Sequence, residues 1–205
     1  MARPNNTQER RTQIVQALAQ VMAERGFERA TVAEIARRAG LTPGIVHYHF
    51  HDKHEVLLCL AEELRATLQR RWELRAERAS PTAWAQLETF LDAFVARDPD
   101  ADPSAVRAWV ALAGEAVRDE AVREVFARAL KDQLGELEAR VRNALREQHR
   151  STRGTRPIAA ALLAAIQGYF LLHAAAPSVT PVGSAAAHLR QMARGLVDAA
   201  AGAAA

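Results

Sequence analysis

Along the whole chain apolar residues recur every three or four positions, and β-branched residues never form the alternating runs of a strand. Such a pattern confines the fold to packed helices, so the fold class read here is all-α. Alanine and leucine abound, and the ten glycines fall mostly between the periodic stretches. A first helix is expected near 5–25, with Ile14, Leu18, Val21 and Met22 on one face and Gly26-Phe27 folding back at its end. Thr31 and Glu34 form a capping box for a second, which carries Ile35, Ala36 and Ala39 and stops at Gly40. Thr42 and Pro43 open a very short third helix ending near Phe50. Asp52 and Glu55 form another box and start a long fourth, to about Arg78, with Val56, Leu60, Leu64, Leu68 and Trp72 in register.

A fifth helix is expected from Ser80-Pro81, broken by the DPDADP run at 98–103, and others near 104–117 and 120–149; the last would be about 45 Å long. The stretch RSTRGTR at 150–156 reads as a loop before two apolar helices near 157–175 and 184–201, and the chain ends in frayed alanines. The expected architecture is a three-helix N-terminal helix-turn-helix domain over residues 1–52, followed by a bundle of about six helices over 53–205.

The spacing of two short helices around Ala39-Gly40-Leu41-Thr42 is that of a helix-turn-helix, whose second helix enters the DNA major groove. If Val46 and Phe50 face inward, Gly44 and Tyr48 point outward, with Ile45 and His47 on the flanks and Pro43 and His49 nearer the body. Pro43 and Gly44 would let the helix approach base edges closely, and His47, Tyr48 and His49 could hydrogen-bond bases or phosphates. Helix starts at Thr31, Thr42 and Asp52 offer N–H groups to phosphate. Lys53 is placed against the dipole of its own helix, which a DNA phosphate would explain, although a solvated surface lysine is the plainer reading.

The run ATVAEIARRAGLTPGIVHYHFHDKHEVL, residues 30–57, resembles the N-terminal signature of the TetR (tetracycline-repressor) family of bacterial regulators. The match falls at Thr31, Ile35, Ala36, Ala39, Gly40, Gly44, Tyr48, His49, Phe50, Lys53 and Leu57, and extends back through Arg11, Ile14 and Gly26-Phe27. The stretch WVALAGEAVRDEAVREVF, residues 109–126, is similar to the BetI-like subset of that family. The resemblance implies that Thr31 and Lys53 contact phosphate and that Pro43, Gly44, Tyr48 and His49 form the recognition surface. His47 stands where the family usually has Tyr, which puts a phosphate contact carried over to that position in doubt. The function expected is that of a dimeric, ligand-responsive transcriptional regulator, a repressor released from operator DNA by a small molecule. It would bind a palindromic site as a homodimer in the cytoplasm.

After residue 55 the aromatics Trp84, Phe90, Phe94, Trp109, Phe126, Tyr169 and Phe170 suit an apolar effector pocket, with Tyr169 and His173 as polar anchors; plain core packing is the alternative for each. The last two helices are too apolar for one chain to bury easily, which favours a two-fold, four-helix interface. Leu162, Ile166, Tyr169, Leu189 and Met192 are its expected contacts.

Other classes fare worse. The formal net charge is only +3, of which residues 1–55 carry +2, so charge alone is not decisive. One cysteine, Cys59, leaves no internal disulfide and no thiolate zinc cage, and suits a reducing compartment. His47, His49, His51 and His54 fall within eight residues, but His47 and His49 point to different sides of a helix and no carboxylate or thiol stands at metal spacing, so no metal and no cofactor is expected. The polar start MARPNNTQERR does not read as a signal peptide. The span 158–176 has the length of a membrane helix, but Gln167 and His173 favour a buried one, and no membrane partner is expected. Nucleophile-elbow, phosphate-loop and metal-helix motifs are absent, which disfavours an enzyme; a DNA-binding protein without inducer and a pure interaction bundle complete the alternatives.

Overall fold

In a computed structural model, which describes residues 6–95 and 103–202, every regular element is helical. Nine helices occur among these residues: α1 (Asn6–Arg25), α2 (Val32–Ala39), α3 (Pro43–His49), α4 (Lys53–Ala76), α5 (Ala83–Val95), α6 (Pro103–Ala116), α7 (Glu120–Glu147), α8 (Thr155–Ala175) and α9 (Ser184–Gly202). The all-α expectation and the three-plus-six helix count hold. The expected break at 98–103 and the terminal alanines lie almost wholly outside the described residues.

Local chemistry sets most boundaries. Thr31 accepts a hydrogen bond from the Glu34 N–H at 3.2 Å and so caps α2. The reciprocal half of that box is missing: the Glu34 carboxylate binds Arg37 at 2.6 Å and Arg25 at 3.3 Å instead. Gly40 ends α2 at φ 66°, and the N–H of Leu41 reaches the Ala36 carbonyl at 2.9 Å. Thr42 occupies the cap position of α3, yet its hydroxyl makes no cap bond. The Ile45 N–H, which that hydroxyl would take, already donates to the Thr42 carbonyl at 3.0 Å, and Pro43 has no N–H to offer. Asp52 caps α4 through the Glu55 N–H at 2.9 Å, while Glu55 reaches back one residue further than a capping box does, to the His51 N–H at 2.8 Å. Helix α5 begins at Ala83 rather than near Ser80, because Thr82 is the residue that accepts from the Ala85 N–H.

The chain gathers into two compact units, one made of the described residues of 1–65 and 102–127, the other of those of 66–101 and 128–205. Helices α4 and α7 contribute to both. In the first unit α1 packs against α2, α3 and α6. Its interior is the apolar face read from the sequence, Ile14, Leu18, Val21, Ile35, Ala36, Val46, Phe50, Val56, Leu57 and Leu60, joined by Ala108, Trp109 and Leu112 of α6. In the second unit α9 packs on α5 and α8, around Leu87, Phe90, Leu91, Leu137, Val141, Leu145, Leu162, Ile166, Leu189 and Val197.

Candidate nucleic-acid interface

Helix α3 is seven residues long, and its orientation follows from two of its neighbours in the sequence. Val46 and Phe50 are 1% and 2% exposed, which fixes that edge of the helix inward. Pro43, Gly44, Ile45, His47 and Tyr48 then face solvent, with Tyr48 81% exposed, and His49 is half-buried. The Tyr48 and His49 rings touch edge to face, with centroids 5.0 Å apart. Thr31 and Thr42, at the starts of α2 and α3, are exposed as well.

Two α1 side chains hold the helix pair in place. Arg11 donates to the His49 carbonyl at the end of α3, meets Glu55 at 3.3 Å and Cys59 Sγ at 3.4 Å, and stacks its guanidinium 4.0 Å from the Phe50 ring. Gln13 donates to the Ala39 carbonyl at 2.6 Å, at the end of α2, and accepts from Arg10 at 2.7 Å. Sequence reasoning missed both anchoring roles. Arg11 entered only as part of a family pattern, and nothing in the local spacing marks Gln13.

Lys53 has partners inside the chain. Its Nζ donates to the carbonyls of Phe27 at 3.2 Å and Glu28 at 3.4 Å, and stands 4.4 Å from the Phe27 ring centroid. These contacts supply a reason for a lysine in the first turn of α4 that does not require DNA; with three N–H bonds, the ammonium keeps donor capacity beyond them. Three carboxylates on or beside the first four helices are favoured in their charged form. The Arg37 hydrogen bond keeps the Glu34 carboxyl below its usual range, Arg38 does the same for Glu24, and the Glu55 N–H does so for Asp52. The four histidines do not converge: His51 is exposed, and His54 turns its Nδ1 to Asp119 at 3.4 Å. Among the described residues no three His, Cys, Asp or Glu side chains come together as a metal site.

Comparison with known proteins adds an independent line. Residues 14–60 match the model of bacterial regulatory proteins of the tetR family, and residues 83–198, more than half of the chain, match that of the BetI-type transcriptional repressor, C-terminal. The chain is a TetR-family transcriptional regulator with a BetI-type C-terminal domain. The HTH-type transcriptional regulator BetI of Rhizobium meliloti (strain 1021) is 32% identical to this regulator over 128 residues, 61% of the chain and 62% of that protein. TtgR of Pseudomonas putida is 40% identical over 60 residues, 29% of each. The match thus spans less than two thirds of these curated relatives.

Solved structures agree in fold over more than nine tenths of the regulator. A transcriptional regulator from Pseudomonas aeruginosa PAO1 has a TM-score of 0.80 at 21% identity, covering 93% of this chain and 91% of that one. One from Rhodococcus sp. Rha1 reaches 0.78 at 25% identity, covering 92% and 96%. One from Saccharomonospora viridis, solved in complex with choline, reaches 0.72 at 18% identity, covering 93% and 96%.

The expected effector residues divide between the two units of the regulator. Trp109 and Phe126 pair in the first, with centroids 4.7 Å apart. Trp84, Phe94, Tyr169, Phe170 and His173 lie in the second, where Phe94 and Phe170 are buried and 6.5 Å apart. Trp84 is covered by Arg194, 5.2 Å from its ring. Of the expected interface residues, Leu162, Ile166 and Leu189 are wholly buried within the chain itself, since the same face of α8 and α9 that looks apolar in sequence closes the core of the second unit. They have no surface left to give a partner. Tyr169 is half-buried and Met192 43% exposed; the open side of α8 carries Ala160, Ala161, Ala164 and Leu171, whereas that of α9 carries His188, Gln191, Arg194 and Asp198 beside Met192.

Proposed function

We propose that this regulator is a dimeric transcriptional repressor that occupies operator DNA and leaves it when a small molecule binds. The observation that carries this reading is the outward face of α3: Pro43, Gly44, His47 and Tyr48 exposed on a helix whose Val46 and Phe50 are locked into the core, with Arg11 and Gln13 clamping its mount. A helix so placed fits the major groove, with Tyr48 and His49 at base edges and Thr31, Thr42, His47 and Lys53 toward phosphate. In this division residues 1–52 read DNA, and residues 53–205 take the effector and pair the chains.

Two further features support pairing. Helix α8 is long and apolar enough to cross a membrane, with mean hydropathy 1.7, yet only 28% of that window is buried within one chain. Its open side carries Ala160, Ala161, Ala164 and Leu171, a stripe that a second copy can approach closely. Two copies supply two recognition helices for a palindromic site with half-sites about one DNA turn apart. The choline bound by the Saccharomonospora viridis relative supports a small-molecule effector for this fold. A regulator of bacterial transcription works in the cytoplasm. An electrophoretic shift with the DNA upstream of the protein's own coding region, repeated with metabolite fractions, tests the proposal. Retarded DNA released by a fraction is the expected result; failure to bind that DNA or any duplex overturns it.

A further inference from the structure

The second unit buries more polar groups than an apolar core explains. On α7, Gln133, Glu136 and Arg140 stand at i, i+3 and i+7 and so share one face. Gln133 is 6% exposed, and neither atom of its amide has a hydrogen-bond partner. An amide left in that state is expensive and calls for a partner from outside the chain, a water or a ligand group. The Arg140 side chain, 14% exposed, lies 4.1 Å from the ring centroids of both Trp72 and Phe90, and its one carboxylate, Glu136 at 3.3 Å, is the more exposed partner. Burial lowers the pKa of Arg140, but a guanidinium stays charged. The buried indole N–H of Trp72 also lacks a partner. Stacked aromatic faces are what recognise a quaternary ammonium. Here the chain's own cation already covers two of them, so a ligand cation would meet like charge.

A separate observation concerns the groove between α4 and α5, about 560 Å³ in volume and within the range of small-molecule sites. Arg71, Arg75 and Arg78 line one wall at i, i+4 and i+7, with Leu74 between them and Thr89 opposite. Arg71 and Arg75 keep interactions of their own. Asp92, the one acidic residue among the described residues of the lining, is held by Arg190 at 2.6 Å from both carboxylate oxygens and is neutralised there. Trp72 and Phe90, which hold Arg140, adjoin Arg71 and Thr89 on the same two helices.

Resting on the effector-responsive reading above, we infer that the effector of this regulator is an organic anion, a carboxylate or sulfonate on an aromatic or aliphatic body, held in the arginine-lined groove between α4 and α5. It is not a quaternary ammonium such as the choline of the Saccharomonospora viridis relative.

The test uses the full-length protein and two fluorescent probes with related ring systems, anionic 8-anilinonaphthalene-1-sulfonate and neutral N-phenyl-1-naphthylamine, titrated at fixed ionic strength. The anion should bind saturably and about tenfold more tightly than the neutral probe. The double variant Arg75→Gln, Arg78→Gln should lose most of that preference while keeping its affinity for the neutral probe and its melting temperature. Choline should displace neither. Equal affinity for the two probes, indifference of the preference to the double variant, or displacement by choline overturns the inference. Arg140→Lys, which keeps the charge, should retain the preference. A melting loss in any variant shifts the decision to the wild-type comparison of the two probes and choline, which stands alone. Operator release separates the two readings. An anion that binds without releasing DNA refutes the effector-responsive role and leaves the anion preference standing, whereas release by choline and not by the anion refutes the preference alone.

Discussion

Lys53→Ala separates two roles that one side chain is asked to fill. Inside the chain the ammonium holds two carbonyls, at 3.2 and 3.4 Å, and lies 4.4 Å from the Phe27 ring. Partly exposed contacts of this kind are worth roughly 0.5–1 kcal/mol each after solvent screening, so the joint loss of the three should lower the unfolding free energy by about 1.5–3 kcal/mol. A phosphate contact has a different signature. Losing one such contact reduces the slope of log K against log salt by about 0.9, and over a fourfold rise in salt this makes the variant about 3.5-fold less salt-sensitive than the wild type. Fluorescence anisotropy on the operator and on a scrambled duplex at several salt concentrations, with urea unfolding in parallel, measures both quantities. The expected outcome is a lower urea midpoint, a flatter salt slope and equal proportional losses on the two duplexes. A lower midpoint with the salt slope unchanged refutes the phosphate role and leaves the lysine as a clamp on the turn after α1. A loss confined to the operator refutes it in the other direction.

Tyr48→Ala removes a ring that is 81% exposed and packs edge to face on His49, so unfolding should change by less than about 0.5 kcal/mol. Operator binding should weaken by about 1–3 kcal/mol with scrambled DNA unaffected, and equal anisotropy losses on both would rule out base reading. The Asp52 carboxyl is held below its unfolded pKa by the Glu55 N–H, so its stabilisation is complete above the unfolded value and disappears as pH falls through the folded one. The melting-temperature gap between wild type and Asp52→Asn should therefore narrow on acidification from about pH 6 to about pH 3; a constant gap contradicts the cap. Gly40→Ala meets no atom within 4 Å but must adopt φ 66°, and a drop of about 1 kcal/mol in unfolding free energy is expected; an unchanged urea midpoint would mean that the backbone relaxes there.

What the sequence made legible was whatever is written at short range. The faces of α1 and α3, the stop at Gly40 and the cap at Asp52 all follow from residues within one or two turns, and the structure has them where periodicity puts them. The misjudged details are competitions that short range does not decide. Glu34 fits a capping box by spacing but is claimed by two arginines, and Thr42 fits a cap whose donor is already spent. Residues that act across the fold were invisible. The bonds of Arg11 and Gln13 to the ends of α3 and α2 join positions 38 and 26 residues apart, and the His54–Asp119 pair joins α4 to the corner before α7. The interface expectation erred for a related reason: Leu162, Ile166 and Leu189 are apolar because α8 and α9 close the core of their own unit, and composition cannot tell that face from one meant for a second chain.

The first unit also bears on how strongly an effector could act. Its α6–α7 corner is stiffened by Arg123, which donates to the carbonyls of Ala116 and Val117 at 3.0 and 3.2 Å, and by Asp119, which caps α7 through the Val122 N–H at 3.0 Å. This corner reaches the turn after α1 and the start of α4 through one ion pair, Arg118–Glu28 at 3.3 Å, and one histidine–carboxylate contact, His54–Asp119 at 3.4 Å. Both pairs are partly exposed, and such pairs are worth at most about 1 kcal/mol each. A hundredfold release from DNA requires about 2.7 kcal/mol of differential binding. The pairs therefore cannot carry strong induction, whereas the α6 residues Ala108, Trp109, Leu112 and Ala116, buried where α6 packs on α1, can: one leucine moved from core to water costs about 1.5–3 kcal/mol. On this reasoning Asp119→Asn should leave effector-driven release nearly intact in a titration of the DNA-bound protein. If that single change abolishes release while DNA affinity stays the same, the coupling runs through the charge pair and the packing argument fails.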